Sequence, residues 1–228
     1  MQRSPATRPE TVTEPPSRAG SLPLVGGAAC LDFANTSSGR GGPHRLEHLR
    51  SYELLLVWSE HAGLLPASLH QALSRLALAQ PAVAARVLRR ALALREAIHA
   101  IASALAHHAA MPAGALLIVN QELSRAMSQA ALHRTAHGFG WDWSGAEPAL
   151  DLPIWPIARS AADLLTGNAH DRVKQCPGGH CGWVFLDLTK NHRRRWCEME
   201  VCGARAKVRR YRERQRRRDA ADGKVMAS

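Results

Sequence analysis

Four of the five cysteines lie near the C-terminal end of the chain, in the pattern Cys-x4-Cys-x15-Cys-x4-Cys. They are Cys176, Cys181, Cys197 and Cys202. Two such pairs, each closing a tight turn, can bring four thiolates to the corners of one tetrahedron, which is the closed geometry of a structural zinc site. Because zinc binding contributes directly to folding, a short segment can fold around the ion without a large core of its own. The sequence therefore predicts one structural Zn²⁺ ion held by these four cysteines.

Two disulfides are the alternative for a cysteine array of this kind, and they require an oxidising compartment. The first twenty residues are polar and proline-rich and have no apolar core of signal-peptide type. No stretch approaches the roughly 18 apolar residues of a membrane span. We therefore expect a cytoplasmic protein without membrane contact, in which paired cysteines are metal ligands. The fifth cysteine, Cys30, is expected to be a small apolar packing residue.

The positive charge of the chain is concentrated next to the cysteine array. Residues 189–218 contain 13 Lys and Arg against three Glu, which gives this segment +10 of the formal net charge of +11. The rest of the chain is nearly neutral. A charge needed only for solubility would be spread over the chain, so this asymmetry indicates a polyanionic partner. A solvated tail is the alternative, but the charge begins inside the metal-organised segment.

The cysteine segment predicts a small treble-clef-like zinc finger. Residues 182–187 alternate in polarity and predict a strand with Trp183, Phe185 and Asp187 on one face. Residues 193–197 are expected to return as a second strand. From Ala204 the pattern is helical, and we expect Ala204, Val208 and Tyr211 to pack on the hairpin. The fold class is therefore mainly α with a small β-hairpin (α+β), a helical N-terminal domain plus a finger ending in a basic helix.

A basic helix on a rigid finger can enter the major groove, where arginines contact guanine edges and phosphates. Arg205 and Arg209, in the first turns, are the candidate base contacts, whereas residues 193–195 are expected to grip the backbone. The predicted nucleic-acid contacts are Arg193, Arg194, Arg195, Arg205, Lys207, Arg209, Arg210, Arg212 and Arg214.

The tryptophans of the finger allow two interpretations. Trp183 and Trp196 can form the small core that a unit of this size needs. They can also stack on the bases of single strands, which would favour RNA over duplex DNA. Both partners stay open at this point, with duplex DNA preferred.

The larger upstream segment is rich in alanine and leucine and predicts a bundle of helices. Apolar periodicity and breakers place helices at residues 51–63, 66–79, 81–105, 112–127 and 154–165. Residues 130–136 and 139–144, joined at 137–138, predict a hairpin with Trp141 and Trp143 on one face. Residues 168–175 are expected to be a linker. The predicted organisation is a disordered leader at 1–20, a helical domain at 21–170, the finger at 171–218 and a disordered tail at 219–228.

Catalytic patterns are weak in this sequence. No glycine-rich phosphate loop is present, since Gly26 and Gly27 are not followed by lysine or serine at the required spacing. None of the 12 histidines has a helix-spaced acidic or histidine partner of metalloprotease type. A closed four-cysteine site also lacks the open coordination position of a catalytic zinc. The sequence therefore predicts a protein that is not an enzyme.

Several motifs resemble known families. The run CPGGHCGWVFLDLTKNHRRRWCEMEVCGARAKVRRYRER, at residues 176–214, is similar to the CGNR zinc finger. Residues 30–36, CLDFANT, resemble the opening motif of the ABATE domain that precedes this finger, and residues 155–161, WPIARSA, resemble its closing helix. In the name-giving CGNR motif, Ala204 replaces the asparagine.

This resemblance implies a bacterial stress-induced transcription regulator with a helical regulatory or dimerisation domain and a C-terminal DNA-binding finger. The zinc ligands carry over to the four cysteines named above, and the protein is expected at the nucleoid. An asparagine at position 204 could cap the basic helix or contact a base, and alanine does neither. The alternatives left open are an RNA-binding module and a zinc-stabilised protein-interaction module with a solvated tail. A homodimer and an unidentified small-molecule effector also stay open, as do the operator and the sign of regulation.

Overall fold

Helices dominate the chain up to residue 170, as the apolar periodicity predicts. The structure, a computed structural model, describes residues 15–136, 138–143 and 148–225. The α-helices of the described part are α1 (Ala29–Ala34), α2 (Tyr52–His61), α3 (Ala67–Ala79), α4 (Pro81–Ala106), α5 (Ala113–Met127), α6 (Trp155–Thr166) and α7 (Ala204–Val225). The strands form three antiparallel pairs: β1 (Ser37–Ser38) with β2 (Leu46–Glu47), β3 (Ala131–Thr135) with β4 (Gly138–Asp142), and β5 (Val173–Gln175) with β6 (Val184–Leu186).

The predicted helices α2 to α6 are confirmed nearly to the residue, because local capping and breaking residues set their ends. Ser51 caps α2, with its hydroxyl oxygen accepting from the backbone N–H of Leu54 at 3.2 Å. Pro81 occupies the first turn of α4, where its missing N–H has no cost. Along α4, Val87, Leu94 and Ile101 are buried, so its apolar stripe is core. No helix of the described residues is long and apolar enough to cross a membrane.

Helix α1 is short and central, and periodicity alone did not predict it. Its six residues include Cys30, Leu31 and Phe33, each fully buried. Cys30 is the packing residue expected, and burial raises the pKa of its thiol to about 12. The helix lies against α4 and α6.

The predicted hairpin near residue 137 is confirmed as β3 and β4, with Leu132 opposite Trp141. Both strands lie on the surface, and Phe139 is 79 % exposed. Trp143 follows β4 and packs against Trp155, with ring centroids 6.1 Å apart. Residues 137 and 144 of the predicted hairpin lie outside the described residues.

The finger contains a different strand pair from the one predicted. β6 pairs with β5, which lies before the first cysteine, in the register Val173 to Leu186. The prediction of a second strand at 193–197 is therefore wrong, because these residues have no ladder partner and form an irregular loop. Residues 168–175, expected as a linker, form a short 3₁₀ turn and β5.

The described residues include parts of both the predicted leader and the predicted tail. Within the predicted leader, residues 1–14 lie outside the described part, but Ala19 is buried and the Ser17 hydroxyl donates to the His48 carbonyl at 2.7 Å. At the other end α7 continues to Val225, past the predicted start of a disordered tail at 219. Residues 226–228 lie outside the described part.

One continuous hydrophobic cluster runs from the helices into the finger. It contains Leu31, Ile98 and Ile157 of the helical part as well as Val184 and Phe185 of β6. A buried arginine also holds the segment after α1 against α4. Arg95 of α4 is 2 % exposed and donates two hydrogen bonds of 2.6 Å to the carboxylate of Glu47 in β2. The finger is thus packed on the helical domain.

Candidate metal centre and basic helix

Four sulfur atoms converge where the finger begins and ends. Cys176 follows β5, Cys181 precedes β6, Cys197 closes the long loop, and Cys202 lies in the turn before α7. Their Sγ atoms lie within 4.8 Å of one another, with Cys181 to Cys197 and Cys197 to Cys202 both at 3.6 Å. Tetrahedral zinc with Zn–S bonds of about 2.3 Å has sulfur–sulfur edges of about 3.8 Å. The four cysteines therefore form a site for one zinc ion.

The first cysteine pair is held by a tight turn. The Cys181 N–H donates to the Gly178 carbonyl at 2.8 Å, and the Cys176 N–H donates to the Trp183 carbonyl at 2.8 Å. A side chain at Gly178 would be crowded, because a Cβ there would lie 3.2 Å from the Cys181 Cβ and 3.4 Å from the Cys202 sulfur. Glycine thus lets the backbone pass close to the metal ligands.

The second pair leads directly into α7. A π-helical turn covers Met199–Gly203, and the N–H groups of Cys202 and Gly203 both donate to the Glu198 carbonyl. The next N–H, that of Ala204, donates to the Met199 carbonyl. The first turn of α7 is therefore fixed by the fourth zinc ligand, and position 204 has no need of a capping side chain.

The crowding of the four thiols explains why they require a cation. Cys176, Cys197 and Cys202 are buried. Hydrogen bonds with Cys176 and Cys181, together with burial, raise the pKa of the Cys197 thiol. Four thiolates this close together would repel one another, whereas Zn²⁺ compensates their charge and binds the deprotonated form. Four protein ligands leave no open position, so the ion has a structural role.

A buried carboxylate folds the loop between the two cysteine pairs. Asp187 is fully buried and accepts from the Lys174 ammonium at 2.6 Å, the Thr189 hydroxyl at 2.5 Å and the Arg194 N–H at 2.9 Å. Burial alone would raise the pKa of Asp187, but these bonds hold it below its usual range. Lys174 also donates to the His192 carbonyl at 2.6 Å. This cluster satisfies the loop backbone in place of a second strand.

Arg194, one of the predicted nucleic-acid contacts, is bonded within the protein. Its guanidinium donates to four backbone carbonyls, including Val25 at 2.9 Å and Cys197 at 2.6 Å, and lies 4.2 Å above the Phe185 ring. A planar donor group with this many fixed acceptors is a structural clamp. Arg194 therefore holds the finger loop to the segment before α1.

The finger is joined to the helical domain through the edge of β6. The side-chain amide of Asn35 donates to the Val184 carbonyl at 2.9 Å and accepts from the Val184 N–H at 2.9 Å. The Leu186 N–H donates to the Gly26 carbonyl at 2.8 Å. Asn35 and Gly26 therefore replace a strand along the free edge of β6. The 30–36 motif contained this residue, but its sequence neighbours gave no signal of the pairing.

A second set of contacts joins the first cysteine turn to α4 and to the loop between β1 and β2. His99 bonds the Gly182 carbonyl at 2.9 Å, and the Arg40 N–H donates to the Cys181 carbonyl at 3.1 Å. Burial lowers the pKa of His99 to about 4, so this ring is neutral at pH 7. Arg40 is in turn held by Glu96 at 2.7 Å.

The remaining predicted contacts lie on an exposed basic surface made of α7 and the loop before Cys197. Arg195 lies 5.3 Å from the Trp196 ring, and Arg209 lies over the first cysteine turn, close to Gly179. All have exposed side chains: Arg193, Arg195, Arg205, Lys207, Arg209, Arg210, Arg212 and Arg214.

The finger's aromatic residues form its core, whereas α7 is hardly packed at all. Trp183 and Trp196 are each 8 % exposed, which leaves no face for stacking on a base. The expectation that Ala204, Val208 and Tyr211 pack on the hairpin is wrong, because Ala204 is exposed and the other two are 49 % and 63 % exposed. Among residues 204–219 of α7, Ala206 in the first turn is the one buried side chain, at 5 % exposure.

An open groove of about 460 Å³ lies between the hairpin, α6 and the finger. Trp141, Trp143 and Leu186 line it, together with Arg159, whose guanidinium is 4.4 Å from the Trp141 ring centroid. Asp163 pairs with Arg159 at 2.7 Å.

Two family models match the chain. The ABATE model, described as a putative stress-induced transcription regulator, matches residues 27–168, and the CGNR zinc finger model matches residues 172–215. The second match contains all four cysteines. No curated protein matches the sequence at a significant level. These matches confirm the resemblance stated from the motifs, and neither description is that of an enzyme family.

Proposed function

Because the chain belongs to the ABATE family and carries a CGNR zinc finger, we propose that it is a transcription regulator that binds duplex DNA through α7. The observation that carries this proposal is that α7 is long, basic and exposed over most of its described length. It is a 22-residue helix, about 33 Å long, and among its residues 204–219 only those of the zinc-held first turn include a buried side chain, that of Ala206. Its exposed arginines and lysines are thereby held out from a nearly neutral body, as a polyanion requires.

The proposed contacts fall into two groups. Arg193 and Arg195 precede the third zinc ligand and are proposed to hold phosphates from the finger loop. On α7 the proposed contacts are Arg205, Lys207, Arg209, Arg210, Arg212 and Arg214. Arg194 is left out because its guanidinium is already bonded to backbone carbonyls.

Duplex DNA is favoured over RNA as the partner for two reasons. The buried Trp183 and Trp196 offer no stacking platform for single strands. The major groove of B-form DNA is about 12 Å wide and admits a helix, whereas the major groove of A-form RNA is deep and narrow. A straight exposed helix therefore fits the first better than the second.

The helical domain, residues 21–170 in the proposed division, would supply regulation or dimerisation, and the finger is taken as residues 171–218. A small-molecule effector would bind in the groove lined by Trp141 and Trp143. Because Leu186 of β6 forms part of the wall of this groove, a bound effector would contact the finger as well as the helical domain. We further propose a bacterial cytoplasmic protein associated with the nucleoid. Sedimentation of the intact protein tests dimer formation. A change in its tryptophan fluorescence on addition of a candidate molecule tests effector binding.

The test of the proposed function is the salt dependence of duplex binding by the zinc-loaded protein, followed by fluorescence anisotropy. The slope of log K against log salt should be about −0.9 for each phosphate contact, so five contacts give about −4.5. Cys197→Ser removes a zinc ligand and should abolish binding. A chain ending at residue 204 keeps every zinc ligand and should also lose binding.

Two results would overturn the proposed function. Tight duplex binding with a shallow salt slope would mean that the arginines of α7 do not hold phosphates. Unchanged binding by the chain ending at residue 204 would make α7 a solvated tail, and the finger would then be a protein-interaction module.

A further inference from the structure

The orientation of α7 follows from its single buried residue. Ala206 is 5 % exposed and marks the face turned toward the finger. Successive helical residues are about 100° apart, so the opposite face is given by counting along the helix. Among residues 204–218, four lie within about 40° of the direction opposite Ala206: Ala204, Val208, Tyr211 and Gln215. Over residues 204–218 this outward face carries no charge, although it belongs to the most basic segment of the chain, and Asp219 follows on the same face one turn beyond Gln215.

The outward face is bordered by cations on both sides. At about 60–100° from its centre, one side carries Arg205, Arg212 and Arg216, and the other carries Lys207, Arg214 and Arg218. All six have exposed side chains. The helix thus presents a neutral strip between two positive rows.

A second copy of this helix does not fit that pattern. If two outward faces met, the arginine rows of both chains would lie side by side, where a stable helix pair needs opposite charges. Apolar content is also low, since only Ala204, Val208 and Tyr211 could be buried.

The major groove of DNA has the complementary pattern, with uncharged base edges on its floor and phosphates along both walls. A helix 10–12 Å across fits a groove about 12 Å wide. In that position the two basic rows face the two phosphate walls and the neutral strip faces the bases. Residues 204–215 span about 16 Å, the length of about five base pairs.

We propose that Val208, Tyr211 and Gln215 are the residues of α7 that read base sequence. This inference rests on the proposed DNA binding and assigns the base contacts within it. Apolar side chains contact the methyl group of thymine, and a glutamine amide can pair with N6 and N7 of adenine. The expected binding site therefore contains A·T pairs. Of the two base contacts predicted from the sequence, Arg205 becomes a phosphate contact, whereas Arg209 lies on the finger side of α7, outside both basic rows.

The experiment is selection of binding sites from random duplex DNA by the full-length zinc-loaded protein and four single variants. Val208→Ala and Gln215→Ala change the outward face, while Arg212→Ala and Arg205→Ala are matched controls in the flanking row. All four side chains are exposed, so zinc content and circular dichroism should be unchanged. Binding of each variant to the wild-type site and its single-base changes is then measured at several salt concentrations.

We expect a wild-type motif that contains A·T pairs. Gln215→Ala should lose about tenfold or more of the preference at one adenine, because a bidentate amide–base pair is removed, and should keep the wild-type salt slope. Val208→Ala should lose preference at a neighbouring position. Arg212→Ala and Arg205→Ala should bind every sequence more weakly and reduce the salt slope by about 0.9.

Several results would overturn this inference. An unchanged motif in Val208→Ala and Gln215→Ala, with an altered motif in Arg205→Ala, would assign base reading to the arginine row. Salt-dependent binding without any motif would leave the proposed function intact and remove the reading face. Complete loss of duplex binding in the wild type would overturn the proposed function itself and this inference with it. Conversion of a wild-type dimer to a monomer by Tyr211→Ala, measured by sedimentation, would assign the face to a second copy.

Discussion

Single side chains of this protein connect the finger to the helical domain. Arg194 illustrates how a residue can belong to a basic run by sequence and yet bond within the protein in the structure. Its neighbours Arg193 and Arg195 are exposed, whereas its own guanidinium reaches the Val25 carbonyl across the domain boundary. A run of three arginines gives no signal of which member turns inward, since that depends on acceptors far away in sequence.

The first prediction concerns Arg194. Arg194→Lys keeps the positive charge but cannot bond four carbonyls, and we expect it to lower the free energy of unfolding by about 2–4 kcal/mol. Arg193→Lys, on the exposed neighbour, should change it by less than about 0.5 kcal/mol. Urea unfolding of the zinc-loaded variants measures both. Equal stability of the two, with DNA binding weakened only in Arg194→Lys, would return Arg194 to the phosphate contacts.

The second prediction concerns Asp32 in α1, whose carboxylate accepts from the Gly26 N–H at 2.7 Å. Burial raises its pKa from 3.8 to about 6, against that hydrogen bond and the charge of Arg194. The ionised form is thus disfavoured in the folded state, so stability is lost as the pH rises from 3.8 through 6. Asp32→Asn should therefore be stabilised relative to wild type, by about 1–2 kcal/mol at pH 8 and by less at pH 5.

Urea unfolding at pH 5, 6.5 and 8 in the presence of zinc measures this difference. Asp171→Asn is the matched control, because its side chain is 85 % exposed. An advantage of Asp32→Asn that shrinks with rising pH would contradict the assignment.

At the scale of elements, the sequence was most informative where residues close together in the chain determine the local structure. Pro66, Pro81 and Pro112 fixed helix starts, and the cysteine spacing fixed the metal site. Sequence was least informative for β5, whose three residues have a partner nine or more positions away in β6 and are too short for a pattern. The irregular loop at 193–197 was mistaken for a strand, since the Asp187 cluster that folds it is not visible as a periodicity.

Helix α7 shows a second limit of sequence periodicity, because here the periodicity predicted packing that the structure does not contain. Its apolar positions at 204, 208 and 211 have the spacing of a packed face, but the structure leaves them exposed. Spacing reports which residues share a face and not what covers that face.

The third prediction concerns the stability of α7 in isolation from DNA. Arginines four residues apart, such as Arg205 and Arg209 or Arg210 and Arg214, repel one another and destabilise an isolated helix by a few tenths of a kcal/mol per pair. Only the first turn is packed, so amide hydrogen exchange should be fast beyond residue 209. Bound duplex DNA should slow exchange there, while α4 amides stay slow in both states. Slow exchange along all of α7 without DNA would show that something other than the first turn holds it.

At the scale of the whole molecule, the two matched families form one packed structure. Asn35, Gly26 and His99 of the helical part bond directly to β6 or to the first cysteine turn. The helical content and the zinc site followed from the sequence, but this junction did not. Its bonds join residues about 150 positions apart, as Asn35 and Val184 are, and they use backbone groups that every residue possesses.

The fourth prediction follows from the shared hydrophobic cluster. Removing zinc with a chelator should lower the thermal unfolding midpoint of the whole chain, because metal binding and folding are linked and the core is continuous. Asn35→Ala, which leaves both polar groups of Val184 unpaired, should lower the same midpoint. Circular dichroism at 222 nm and tryptophan fluorescence should report one coincident transition. Two separate transitions, with the helical one insensitive to zinc, would contradict this coupling.

The central claim is that the zinc-held α7 binds duplex DNA. The most direct measurement is the affinity of the zinc-loaded, full-length protein for a DNA duplex and for double-stranded RNA of the same sequence, both at about 0.15 M salt. We expect the DNA duplex to be bound more tightly by about tenfold or more, because α7 fits the B-form major groove and not the A-form one. Equal affinity, or tighter binding of the RNA, would contradict the claim.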